Sequence, residues 1–73
     1  MAIVFPVRGE YIQLDQLLKA ASLVSSGGEA HIMVEEGQVK VDGKVETRKR
    51  AKLRPGQKVQ FGGETIQLVA EEA

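Results

Sequence analysis

The residues with the clearest potential for chemistry are basic side chains in the second half of the chain. The window from Lys40 to Lys58 contains eight lysine and arginine residues but only two acidic residues, Asp42 and Glu46, so it carries a net charge of +6. The whole 73-residue chain has ten basic and ten acidic side chains, so the remainder carries −6 and the total is zero. Cations this dense repel one another, and a basic patch of this kind is typical of a surface that binds phosphate groups.

The densest part of this window runs from Arg48 to Arg54. If the segment is extended, alternate residues project from one side about 6.6 Å apart, because each strand residue advances about 3.3 Å. That spacing suits successive phosphates, so we predict an anionic partner. The alternative, that the charges only keep an exposed strand soluble, explains scattered lysines better than a contiguous run. The candidate binding residues in this window are Lys40, Lys44, Arg48, Lys49, Arg50, Lys52 and Arg54.

A second candidate element is the glycine-containing turn that includes Ser26, Gly27 and Gly28. At the start of a helix, its backbone N–H groups and the positive end of the helix dipole would accommodate a phosphate. Simple helix capping is an equally good interpretation. His31 lies one turn further along; a lone histidine is more often a surface residue than a ligand, although it would face the same partner if the helix does.

The inventory of reactive groups argues against catalysis. The chain has one histidine, one tyrosine and no cysteine, so nucleophiles, acid–base groups and thiolate metal ligands are scarce. We therefore expect no enzymatic activity, no metal, no cofactor and no disulfide.

Phe5 and Phe61 fall in apolar alternations and are predicted to pack in the core, and Tyr11 is left undecided. Without several exposed aromatic residues, stacking on single-stranded bases is disfavoured, and phosphate and shape recognition of structured RNA fits better.

Two amphipathic segments predict two helices. In the first, the apolar residues recur at i, i+3, i+4 and i+7, as in a helix with one buried face: Leu14, Leu17, Leu18 and Ala21. Ser26 and Glu29 match the capping box, in which each side chain bonds the other residue's backbone N–H, so a second helix should begin near Gly27. Gly37 supplies the left-handed residue that ends it.

Period-two alternation predicts strands in the rest of the chain. Asp42-Gly43 is the strongest kind of two-residue hairpin turn, with Val39 and Val41 before it and Val45 after it. A second hairpin is predicted after the Pro55-Gly56 turn, with its own turn at Gly62-Gly63. The alternating apolar residues of that hairpin are Val59, Phe61, Ile66 and Leu68.

The N-terminal residues 2–7 predict an edge strand, because Pro6 has no N–H to donate to a neighbouring strand. Helices followed by hairpins predict an α+β fold, with one layer of helices packed on a small antiparallel sheet.

The apolar runs are too short to span a bilayer, and residues 1–10 lack the pattern of a signal peptide. We therefore expect a single domain over 1–73 in the cytoplasm, not at a membrane.

The order of these motifs resembles a known family. The segment LDQLLKAASLVSSGGEA followed by EEGQVKVDGKVETRKRAKLRPGQKVQF is similar to the RNA-binding domain first described in ribosomal protein S-four, and most closely to its small stand-alone members, the YbcJ-like proteins. The resemblance covers residues 11–69. It implies the αL arrangement, in which two helices pack on a small antiparallel sheet, and binding of structured RNA. We predict a monomer whose RNA is ribosomal or transfer RNA, with the ribosome as a candidate partner.

The resemblance also implies which residues contact RNA. Ser26, Gly27 and Gly28 match the segment that begins the second helix, and the basic window matches the adjoining hairpin. Many family members carry arginine just before the Leu-Asp pair and another after the serine, where this chain has Gln13 and Gly27. The cations that compensate lie in the run from Arg48 to Arg54.

Two other classes of function compete with this prediction. A protein-interaction adaptor would use the acidic remainder of the chain, including Glu35 and Glu36, to contact a basic partner. A β-grasp sulfur carrier would share the VDGK hairpin and the PGQKV turn, but such carriers need a C-terminal Gly-Gly where this sequence ends in Glu71-Glu72-Ala73. The sulfur-carrier reading is therefore nearly excluded.

Overall fold

The computed structural model describes residues 2–71, which form two helices and seven strands. The α+β class predicted from the sequence is confirmed. In chain order the elements are β1 (Ala2–Val7), β2 (Ile12–Gln13), α1 (Leu14–Ala20), α2 (Gly27–Glu35), β3 (Val39–Val41), β4 (Lys44–Val45), β5 (Lys52–Leu53), β6 (Lys58–Phe61) and β7 (Glu64–Ala70).

Both predicted helices form, and both end in the same way. The N–H of Leu23 donates to the carbonyl of Leu18, and the N–H of Ser22 to that of Lys19, which is the Schellman arrangement that satisfies the last carbonyls of α1. Gly37 holds the equivalent position after α2 with a φ of +75°. These closures keep the helices short and turn the chain back at each end.

The main sheet has the strand order β1-β7-β6-β3-β4. The two predicted hairpins, β3–β4 and β6–β7, are confirmed, and β6 also pairs antiparallel with β3. β1 lies at the edge, as Pro6 predicted, but it runs parallel to β7, so the sheet is mixed rather than purely antiparallel. A separate two-residue ladder joins β2 to β5.

The core lies between the helices and one face of the sheet. The fully buried residues come from α1 and α2 (Leu14, Leu17, Leu18, Ala30, Val34) and from the facing strands (Val39, Val59, Ile66, Leu68). Phe5 and Phe61 are half-buried against this cluster, as predicted. The opposite face of the sheet is left without helices, so exposed Lys40 and Lys58 project there.

Within residues 2–71, neither helix has the length and apolar character required to cross a bilayer.

Candidate nucleic-acid interface

The basic loop, defined here as residues 46–54, follows β4 and includes the short strand β5. The extended conformation considered for Arg48 to Arg54 does not hold throughout, because the chain makes a tight turn in which the N–H of Ala51 donates to the carbonyl of Arg48 at 3.1 Å. Beyond the turn the alternation holds: Ala51 and Leu53 are buried while the residues around them are exposed. Arg48 therefore does not lie in the predicted row of alternate side chains. Arg50, Lys52 and Arg54 still project from one side of the segment.

The loop turns at this point because its carbonyl groups cap helix α1. The residue before that helix, Gln13, makes no side-chain cap. Instead, the N–H groups of Leu14 and Asp15 donate to the carbonyls of Ala51 and Lys49 at 2.9 and 3.0 Å. Buried N–H groups at a helix start need acceptors, so this contact satisfies the helix and fixes the loop against its first turn.

The basic side chains of the loop surround a shallow groove of about 510 Å³, called the basic groove below. Its lining consists of Arg48, Arg50, Ala51, Lys52 and Arg54, four cations and one alanine. Among residues 2–71, neither Arg50 nor Arg54 forms an ion pair with a carboxylate. The structure thus gathers the cations by a turn rather than by a regular strand, and none of the acidic side chains in residues 2–71 lines the groove.

One wall of the groove is held by an ion pair within the loop. The Arg48 guanidinium donates through Nε to Oε2 of Glu46 and through Nη2 to Oε1, each at 3.0 Å, and its backbone N–H also reaches Oε2 at 3.1 Å. These bonds favour the charged forms of both groups. They lower the pKa of the Glu46 carboxyl, chiefly through the Arg48 side chain, and raise that of the Arg48 guanidinium.

Two further contacts link the loop to its surroundings. The Lys49 ammonium lies 3.9 Å from a carboxylate oxygen of Glu35, at the end of α2. The Lys52 ammonium lies 5.0 Å from the ring centroid of Tyr11, within the range of a cation–π interaction. Tyr11, undecided from the sequence, therefore lies beside the groove, and 39% of the residue is still exposed.

The functional role that the sequence does not reveal is that of Glu46. In the sequence, Glu46 is only an acidic charge among the cations, whereas in the structure it pairs with Arg48. The signal that could have found it is the two-residue spacing to Arg48 at the end of a short strand. Nothing in the spacing of Tyr11 and Lys52 would have paired them, because β2 and β5 meet only in the folded chain.

The start of α2 is built as the capping prediction requires, with one difference. The Ser26 hydroxyl accepts a hydrogen bond from the N–H of Glu29 at 3.2 Å, but the Glu29 carboxylate accepts from the N–H of Ser25, not from that of Ser26. Gly27 and Gly28 form the first turn of the helix. The nine residues of α2 advance about 12 Å, so this turn is at the far end of the helix from Glu35 and the basic loop.

The remaining predicted residues lie apart from the groove. His31, in the middle of α2, places its Nε2 atom 3.0 Å from Oδ2 of Asp15 on α1. Lys40 lies on the helix-free face of the sheet opposite Gln60, and Lys44 lies at the β3–β4 turn. In the part of the chain that the structure describes, no group of three or more His, Asp or Glu residues is placed to hold a metal ion.

This arrangement can bind anions and offers little for other chemistry. Arginine presents a planar fork of N–H donors that matches the oxygens of a phosphate, and lysine adds a compact charge. The groove supplies three arginines and one lysine on a shallow, open surface. Such a surface suits successive phosphates of an extended polyanion better than a small enclosed ligand.

Comparison with known proteins agrees with this description of the fold. The model of the S4 domain family matches residues 5–69, so the chain belongs to the S4 domain family. YbcJ of Escherichia coli strain K12 is 52% identical over 60 residues, which cover 82% of this chain and 86% of that protein. YbcJ of Shigella flexneri matches with the same identity and coverage.

A solved structure supports the same relationship. The solution structure of YbcJ from E. coli, reported to reveal an αL motif involved in RNA binding, matches with a TM-score of 0.66 at 45% identity. The match covers 94% of this chain and 86% of that one. The resemblance to the S-four type that the sequence suggested is therefore confirmed, together with the αL fold.

Proposed function

We propose that this protein binds structured RNA without catalysing a reaction, and that the basic groove contacts the RNA phosphates. The observation that carries the proposal is the lining of the groove by Arg48, Arg50, Lys52 and Arg54 with no carboxylate among them. The S4 family membership and the αL motif of YbcJ, described as involved in RNA binding, support the same class of ligand.

The scarcity of exposed aromatic residues favours folded RNA over an unstructured strand. Single-strand binding depends on several exposed aromatic residues that stack with bases. Here Phe5 and Phe61 pack on the core, and only Tyr11 lies beside the groove. A helical stem presents phosphates in a regular row that the clustered cations can contact, and ribosomal and transfer RNA are the candidate ligands of this kind.

Other predicted contacts form a second part of the proposal. The turn at Ser26, Gly27 and Gly28, together with His31, would approach a neighbouring phosphate if the RNA extends along α2. Lys40 and Lys44 would reach only RNA that passes the groove and continues around the β3–β4 hairpin. We expect these contacts to add less affinity than the groove does.

The test is the affinity of a folded RNA for two charge-reversal variants, measured by fluorescence anisotropy with a labelled transfer RNA. Arg50→Glu with Arg54→Glu reverses two exposed cations of the groove. We expect affinity to fall by at least about 100-fold, because each of the two lost contacts to a charged group costs about 1.5–3 kcal/mol. Circular dichroism should be unchanged, since both side chains point to solvent.

The matched control is Arg8→Glu with Lys58→Glu, which changes the net charge by the same amount outside the groove lining. Its affinity should change less than about fivefold, which reflects long-range charge alone. An equal loss in both variants would mean that only overall charge matters, and an unchanged affinity in the groove variant would refute the proposal.

The salt dependence of binding provides a count of the phosphates. With four cations engaged, the slope of log K against log salt should be about −3.6, from about −0.9 for each phosphate of a duplex. In the groove variant the slope should fall to about half that value. A slope near zero in the unaltered protein would contradict phosphate binding.

The proposal includes a monomer that acts in the cytoplasm, with the ribosome as a candidate partner. A protein-interaction adaptor would behave differently, since its complexes would survive nuclease treatment. The exposed carboxylates that such an adaptor needs include Glu36, but Glu35 already lies beside Lys49. RNA binding therefore remains the better-supported function.

A further inference from the structure

The Glu46 carboxylate bonds to Arg48, one of the four cations that line the basic groove. Its side chain is only 17% exposed, whereas that of Arg48 is 79% exposed. A carboxylate this close to a phosphate-binding arginine has two opposite possible effects. It could compete with phosphate for the guanidinium, or it could hold the guanidinium in the orientation that phosphate needs.

The geometry of the pair distinguishes these effects. A guanidinium has five N–H donors, arranged along two edges that can each bind an oxyanion bidentately. Glu46 occupies the edge formed by Nε and Nη2. Within the residues that the structure describes, the other edge, formed by Nη1 and the second hydrogen of Nη2, has no protein acceptor.

Glu46 is itself fixed in place. It follows β4, and its backbone N–H donates to the carbonyl of Val39 at 3.0 Å. Its carboxylate also accepts the backbone N–H of Arg48, so one carboxylate holds both the main chain and the side chain of that arginine. A flexible side chain on an exposed loop is thereby limited to one orientation.

We propose that Glu46 is a positioning residue for RNA binding: it holds Arg48 by one edge of the guanidinium so that the opposite edge forms a preorganised bidentate site for a phosphate. This proposal rests on the proposed function. It assigns to an acidic residue a favourable role in binding a polyanion, although its charge alone would repel the ligand.

The test is a double-mutant cycle on the same labelled transfer RNA. Glu46→Gln keeps the shape of the side chain and removes one negative charge, so charge alone predicts tighter binding. Loss of preorganisation predicts binding about 2- to 10-fold weaker, the range expected for immobilising one long side chain. In an Arg48→Ala background, Glu46→Gln should no longer weaken binding, because no guanidinium remains to be oriented.

A spectroscopic measurement separates positioning from a general effect on folding. In the unaltered protein, the Nε–H resonance of Arg48 should be observable and shifted from the position of a free arginine. In Glu46→Gln it should move to that free position, while the amide spectrum of the core is unchanged. Arg48→Lys, which keeps the charge but not the fork, should weaken binding by a similar factor and provides a test if Glu46→Gln does not fold.

The outcomes are distinct. If Glu46→Gln binds as tightly as the unaltered protein or more tightly, Glu46 does not position Arg48 for phosphate and the inference is overturned, even though the groove still binds RNA. If Arg50→Glu with Arg54→Glu binds RNA like the unaltered protein, the proposed function itself fails. Weaker binding in Glu46→Gln that persists in the Arg48→Ala background would also overturn the inference.

Discussion

Single residues in left-handed backbone conformations set the ends of the helices. Ser22 has a φ of +61°, which is unfavourable for a residue with a side chain, whereas Gly37 holds the equivalent position after α2 at +75°. The structure therefore uses glycine at one helix end and tolerates strain at the other.

Exchange of these two residue types predicts opposite effects on stability. Ser22→Gly should raise the free energy of unfolding by about 0.5–1 kcal/mol, because it relieves the left-handed strain. Gly37→Ser should lower it by about 1 kcal/mol, since a Cβ there meets Val45 only at an ordinary 3.5 Å and the cost is conformational. Urea unfolding measures both, and a stabilising Gly37→Ser would contradict this explanation.

Two carboxyl groups predict how stability depends on pH. Hydrogen bonds from the Lys58 backbone and the Gln57 side chain lower the pKa of Asp42 below 3.8, and Arg48 lowers that of Glu46 below 4.5. The folded state therefore binds fewer protons than the unfolded state in this range, and the stabilisation is complete above these ordinary values.

Stability should be lost as the pH falls through the lowered, folded-state pKa values. The midpoint of urea unfolding should decline below about pH 4.5. Asp42→Asn with Glu46→Gln keeps the side-chain shapes and should give a flatter acid limb. An acid limb as steep as that of the unaltered protein would show that these two carboxyls do not contribute.

At the scale of elements, the two helices are started by different means. α2 has a local cap, the Ser26 hydroxyl, whereas α1 is capped by carbonyl groups of the basic loop. A local cap can be read from neighbouring residues, but a cap supplied by carbonyl groups 34 and 37 residues further along the chain cannot. The first helix and the basic loop therefore depend on each other for their geometry.

Removal of the local cap tests its contribution. Ser26→Ala should lower the free energy of unfolding by about 1 kcal/mol, the usual cost of losing an N-cap serine. Ser25→Ala is the matched control, because Ser25 contributes its backbone N–H rather than its hydroxyl. It should change stability by less than about 0.5 kcal/mol. Equal effects of the two substitutions would contradict the assignment of the cap.

The distinction between local and long-range contacts explains which features the sequence could predict. The helices, both hairpins and the edge position of β1 follow from local signals such as the Asp42-Gly43 turn, the capping serine and Pro6. The parallel pairing of β1 with β7 joins the two ends of the described chain, and no neighbouring residue encodes it. The turn from Arg48 to Ala51 was missed for the same reason, since it forms where the loop meets α1.

At the scale of the whole molecule, the chain is neutral, but its positive charges are concentrated in residues 40–58 and its negative charges in the remainder. The cations of the basic groove lie beside the start of α1, while Lys40 and Lys58 project from the helix-free face of the sheet. In the proposed RNA complex, the four groove cations would attract a polyanion to this side of the domain before contact. The net charge of zero therefore conceals the basic groove to which we assign the proposed RNA binding.

The measurement that tests the central claim most directly is an NMR titration of the isotopically labelled protein with a folded transfer RNA. The amide resonances of residues 48–54 should shift together with those of Leu14 and Asp15, whose N–H groups bond the loop. The resonances of Gln60 and Thr65 on the helix-free sheet face should stay in place. Shifts on that face with an unchanged basic loop would contradict RNA binding in the basic groove.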